Sequence, residues 1–192
     1  MTGTSPMGPV IAYCGMTHLG LVSGTAAAAK GFETILFDPD PALIARLGRA
    51  ELPVSEPDLD ATFAASRDRL TVTADAGDLA RADVVYLAPD VPTDDTGASD
   101  LSAVERLLDV VRPALRDDAT LVILSQVPPG FTRGIEGVRG PLHYQVETLV
   151  FGIALQRALE PERYIVGCAD PSAPLPAPFR AYLEAFGCPI LP

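Results

Sequence analysis

The sequence predicts an α/β fold, a doubly wound and mostly parallel sheet in a single domain. Three observations carry that expectation. Short apolar runs alternate with helix-forming stretches from Val10 to Leu191. Runs such as Val84-Val85-Tyr86-Leu87-Ala88 are apolar at nearly every position, as strands covered on both faces require. The first run leads through a glycine turn and a helix into a second run that closes on an acid, Asp38.

The composition bounds the rest. A chain of 192 residues with 48% hydrophobic content is long enough to bury a sizeable core. Acids outnumber bases by 25 − 14 = 11, and Lys30 is the sole lysine. Such an acidic surface argues against nucleic-acid binding and against an anionic membrane surface. No apolar run reaches the roughly 18 residues that span a bilayer. The three cysteines, Cys14, Cys168 and Cys188, form no C-x-x-C pair, and a sparse, odd count fits a reducing cytoplasm. Cys14 and Cys168 end apolar runs and are expected to be buried thiols. Residues 1–9 are polar and Pro/Gly-containing, lack the pattern of a signal peptide, and read as a flexible leader to a domain over 10–192.

Taken in order, Val10–Cys14 is the first strand, Gly15–Gly20 a turn, Leu21–Lys30 an Ala-rich helix and Thr34–Phe37 the second strand. Pro41 is a good first helical residue for a segment ending at Leu47. A turn around Ser55–Leu59 leads into a short helix, Leu70–Thr73 is a short strand, and 78–82 is a short helix or turn. Val84–Ala88 is a buried strand, and Pro89–Gly97 a polar loop at its C-terminal end, the edge where open α/β sheets bind ligands. Over Ser99–Leu115 the residues Leu101, Val104, Leu107, Leu108 and Val111 share one helical face. Thr120–Leu124 is the next strand and runs into Ser125-Gln126-Val127-Pro128-Pro129-Gly130 on the same edge. Thr132–Gly140 is a shortened helix or irregular link; strands over 143–147, 164–168 and 189–191 and helices over 150–159 and 179–186 complete the alternation.

The physics of the first unit suggests a dinucleotide. Gly15 permits the sharp turn out of the strand, and Gly20 lets the helix lie against the sheet. Free N–H groups and the dipole at the helix start favour an anion, normally a pyrophosphate. Asp38, 23 positions after Gly15, stands where a carboxylate accepts hydrogen bonds from an adenosine ribose and repels a 2′-phosphate, which favours NAD over NADP. Thr17 stands at the middle position of G-x-G-x-x-G, where a Cβ and a hydroxyl crowd a pyrophosphate. The alternative is an ordinary strand-to-helix turn without a cofactor.

Several segments together resemble the N-terminal domain of the UDP-glucose/GDP-mannose dehydrogenases. They are Gly15…Gly20-Leu21-Val22 with Asp38, Pro53-Val54-Ser55-Glu56-Pro57, Val91-Pro92-Thr93 with Gly97 and Asp100-Leu101-Ser102, Ser125 to Arg133, and Pro161 to Gly167. They occur in the family's order and cover most of the chain. The resemblance implies a Rossmann-like sheet, with NAD held by Gly15, Thr17, His18, Gly20, Asp38, Pro92, Thr93 and Ser125. It implies a small-molecule substrate such as a nucleotide sugar, and either a second copy of this chain or a separate catalytic subunit. The family's nucleophilic cysteine and partner lysine lie in a later half, before which this chain stops. The whole alcohol-to-acid oxidation is therefore not expected from the chain alone.

Local departures point the same way. Gln126 replaces the threonine that helps position the active-site water in the family's S-T-V-P-P-G. Counted back from Pro161, Glu147 matches the family's acid/base glutamate, and Phe151 falls where a second acid usually lies. Glu147 in an apolar pocket is a candidate general base. His18, at the start of the first helix, is a candidate acid/base or hydrogen-bond donor; the alternative is a solvent-exposed turn residue. Asp90, Asp94 and Asp95 share one loop, but such carboxylates are more often solvated turn residues than metal ligands, and no metal is expected. Two readings follow: an NAD-binding, dehydrogenase-like domain, or a cofactor-free fold reused as a non-redox enzyme on His18 and Glu147 or as a non-catalytic partner protein.

Overall fold

The computed structural model describes residues 8–192; the part of the proposed leader over 1–7 lies outside the described residues. Eight strands form one sheet in the order β3-β2-β1-β4-β5-β6-β7-β8. They are β1 (Ile11–Cys14), β2 (Thr34–Phe37), β3 (Leu70–Thr73), β4 (Val84–Leu87), β5 (Thr120–Ile123), β6 (Leu142–Gln145), β7 (Tyr164–Gly167) and β8 (Ile190–Leu191). All neighbours pair in parallel except β6 and β7. The reversal of strand order between β1 and β4 opens the crevice where such sheets take ligands.

Side-chain alternation divides the core in two. Ile11, Tyr13, Leu36, Val84, Tyr86 and Val122 face one layer with helices α1 (His18–Ala29) and α6 (Ala177–Glu184). Ala12, Cys14, Ile35, Phe37, Val85, Leu87 and Ile123 face the other, under α4 (Ser102–Val111). On the α1 side lie also α2 (Pro41–Gly48), α3 (Leu59–Ala65) and α5 (Ala154–Leu159), with Leu59, Ala154 and Leu155 packed against Val22 and Ala26 of α1. Buried on both sides, the central strands have no polar face, which is why their sequences read as unbroken apolar runs.

Four expectations need correction. The first helix begins at His18, not Leu21, so Gly20 lies inside its first turn. The long helix over 99–115 is shorter: Asp100 Oδ1 accepts the Ser102 N–H at its start, and Pro113 turns its end into a 3-10 turn over Arg112–Ala114. The helix over 150–159 starts only at Ala154, because Gly152 takes a φ of +84° in the preceding turn. Cys168 is half-exposed rather than buried, while Cys14 is fully buried.

Candidate functional site

The C-terminal ends of β1, β4, β5 and β6 deliver the candidate residues to one edge. A cleft of about 290 Å³ there is lined by His18, Leu19, Asp90, Val91, Gln126, Glu147, Leu149 and Phe151. Its size approaches the lower end of small-molecule sites, roughly 300 Å³. The structure thus brings together all three candidate catalytic residues, His18, Gln126 and Glu147, although they are spread over β1–α1, the loop after β5 and the segment after β6.

The glycine turn is built as the spacing demands. Gly15 has a φ of +95°, and a Cβ there would lie 2.9 Å from the Pro89 nitrogen. A Cβ on Gly20 would lie 2.0 Å from the Gly15 carbonyl oxygen, so only glycine lets the helix sit on the turn. Asp38 Oδ2 accepts the Met16 N–H at 2.8 Å, and Oδ1 accepts the Asp40 N–H at 3.0 Å. Each oxygen keeps a lone pair free, so Asp38 retains acceptor capacity at the end of β2.

The helix start itself is already engaged. Asp90, from the end of β4, places its carboxylate on the first amides of α1: Oδ2 accepts the His18 N–H at 3.0 Å and Oδ1 the Leu19 N–H at 3.2 Å. Thr17 Oγ1 accepts the Asp90 N–H at 2.9 Å in return. Thr17 makes no side-chain cap of its own helix; a residue 72 positions away makes it instead. A carboxylate here satisfies orphan donors and complements the helix dipole. These amides are the ones a pyrophosphate would need, and the arrangement as it stands does not fit one. The Asp90 carboxylate stands on those donors, and Thr17, at the middle position of the turn, holds the loop that carries it.

His18 is not the exposed turn residue of the alternative reading. Its side chain is 11% exposed, and Nε2 lies 2.8 Å from Glu56 Oε1. Phe151 lies over it with ring centroids 4.3 Å apart. Glu56 also accepts the Gly152 N–H at 3.0 Å and the Ala154 N–H at 3.3 Å, joining the start of α1 to the start of α5. Burial pushes the Glu56 carboxyl up, but the hydrogen bonds from Gly152, His18 and Ala154 outweigh it and hold it below its ordinary value. Glu56 appears in the sequence only within Pro53–Pro57, and nothing local marks it as a site residue, since its partners lie 38, 96 and 98 positions away.

Glu147 is half-buried, with Oε2 accepting the Gln126 Nε2–H at 2.9 Å and Oε1 accepting the Leu149 N–H. Its surroundings are thus hydrogen-bonding, not the apolar pocket expected from sequence. The remaining candidates are apart from the cleft lining. Ser125 is fully buried and donates from Oγ to the Pro89 carbonyl at 2.6 Å, bracing β5 against β4. Pro92 and Thr93 lie exposed in a hairpin-like turn, with Thr93 bridged to Ser99. Asp94 is a turn residue that accepts from Thr96 and Ala98, and among the described residues no group of three or more metal-ligating side chains occurs. His143 packs on Phe179; burial lowers its pKa, against the opposing, raising effect of a ring N–H donated to the Gly167 backbone carbonyl.

Residues 10–178 match the family described as UDP-glucose/GDP-mannose dehydrogenase family, NAD binding domain. The UDP-glucose 6-dehydrogenase of Rickettsia typhi is 31% identical over 166 residues, and that of Pseudomonas aeruginosa 31% over 174. These alignments take in 82% and 83% of this chain but 38% of each relative, so the chain spans well under half their length. Among solved structures, a UDP-glucose dehydrogenase from Pyrobaculum islandicum superposes with a TM-score of 0.83 at 24% identity, over all of this chain and 47% of that one. A ternary complex of GDP-mannose dehydrogenase from Pseudomonas aeruginosa gives 0.82 at 23%, over 94% and 45%. The chain belongs to the UDP-glucose/GDP-mannose dehydrogenase family, and its fold is the Rossmann-like NAD-binding domain of that family.

Proposed function

We propose that the cleft binds an uncharged, hydroxyl-rich small molecule, with His18 and Glu147 as the acid/base groups that meet it. The observation that carries the reading is the cleft's make-up. Carboxylate and amide groups of Asp90, Glu147 and Gln126 accept and donate to hydroxyls, beside the ring of Phe151, which is 79% exposed. An exposed aromatic face next to polar groups suits the apolar face of a sugar ring, whereas two carboxylates disfavour an anionic ligand. Glu56 holds Nε2 of His18 and fixes the ring, leaving Nδ1 as the nitrogen a ligand can meet. Amide-resolved NMR titration with neutral sugars tests it: saturable shifts at His18, Gln126 and Phe151 support the reading, weakened about ten-fold in Phe151→Ala. An absence of shifts at millimolar sugar would end it.

A second reading has its own support. Family membership and the intact Asp38 position favour NAD, with this chain as the nucleotide-binding part of a dehydrogenase acting on a nucleotide sugar together with a partner subunit or a second copy. When bound, NAD would supply a hydride acceptor. Asp38 would hold its ribose, but Asp90 stands against its phosphates. Fluorescence titration with NADH separates the two readings. No helix of the described residues is long and apolar enough to cross a membrane.

A further inference from the structure

We propose that Asp90 is the specificity-determining residue of the glycine turn: its carboxylate acts as an internal anion that excludes dinucleotides from this chain. Three features of the geometry combine. The carboxylate bonds both leading amides of α1, one through each oxygen. The bond is reciprocal, since the Asp90 N–H is donated to Thr17 Oγ1, so the loop after β4 is anchored to the turn from both directions. The residue before it is locked as well: Pro89 is buried, its carbonyl accepts from Ser125, and its nitrogen abuts Gly15. Asp90 thus sits on a braced strand end. A pyrophosphate carries at least two negative charges and requires the same donors, so it must break both bonds and lie beside the displaced carboxylate. The adenosine end meets no such barrier, because Asp38 retains free acceptor capacity.

The discriminating experiment removes the charge while keeping the chain folded. The full chain, Asp90→Ala and Asp90→Asn are titrated with NADH, with ADP-ribose and with adenosine, the last lacking phosphate. Asn carries one acceptor oxygen and no charge, so Asp90→Asn can keep one of the two bonds at the helix start if Ala weakens it. The expected result is no saturation of the parent chain by NADH or ADP-ribose at 1 mM, a concentration of the order that marks weak binding. Asp90→Ala gains ten-fold or more for both, Asp90→Asn gains less, and adenosine binds all three alike. Equal NADH affinity in the parent chain and Asp90→Ala overturns the proposal. So does a failure of both variants to bind either phosphate ligand while their amide spectra show an intact fold. Neutral-sugar binding in the cleft is read separately, so failure there leaves this test standing.

Discussion

Two carboxylates reach the same glycine turn, and they have opposite consequences. Asp38, at the end of β2, accepts one amide from behind the turn and keeps a free lone pair on each oxygen. Asp90, at the end of β4, covers the amides in front and closes them to phosphate. Both are short acids at the end of a parallel strand, and both stabilise the turn. The lesson is that the turn's own residues, Gly15 to Gly20, decide whether the backbone can form the site, while the neighbouring strand end decides what fills it.

The comparison breaks most completely if the turn is lost. Gly20→Val puts side-chain carbon against the Gly15 carbonyl, which a backbone atom cannot yield; a loss of about 3 kcal/mol is expected in urea denaturation, and both carboxylates lose their partners. Next comes Glu56, which stands behind the same helix start. Glu56→Ala orphans the donors of Gly152 and Ala154 and frees His18, for about 2 kcal/mol. The acid dependence has a definite sign. Glu56 is held below its ordinary value of 4.5 in the fold, so its contribution is present above that pH and is lost as pH falls through the lower folded value. Thermal melts of the parent chain should steepen in their decline below pH 4.5, and those of Glu56→Gln should be flatter there.

Smaller effects sharpen the contrast. Asp90→Ala removes a helix cap and should cost about 1 kcal/mol, while Asp90→Asn, which keeps one acceptor oxygen, should cost less, both read from denaturant midpoints. Gln126→Ala, at an exposed position, should change stability by about 0.5 kcal/mol or less. It nonetheless frees Glu147 Oε2, so any sugar titration of the cleft should shift while the melting temperature holds.

The fold was legible because its signals are local. Unbroken apolar runs mark the buried strands, and β3 matches its expected bounds, Leu70 to Thr73. Helix ends were misread where the terminating contact is distant or subtle. Asp90 caps α1 three residues earlier than the Ala-rich stretch suggests, and Glu56 holds the turn before α5 from nearly a hundred positions away. The cleft shows the same division. His18, Gln126 and Glu147 carry recognisable chemistry in sequence and line one space, whereas nothing local in the sequence distinguishes Glu56 as a partner or Asp90 from an ordinary loop acid. Chain position does not encode which carboxylate meets which amide across a sheet. Parallel pairing sets β4 beside β1, and that pairing alone brings Asp90 to the turn.

The amide resonances of His18 and Leu19 test the account most directly. Charge-assisted hydrogen bonds donated to Asp90 predict that both amide protons move upfield in Asp90→Ala, while Met16, bonded to Asp38, stays in place. Unmoved His18 and Leu19 resonances in that variant would contradict it, for the carboxylate would then not be resting on the helix start.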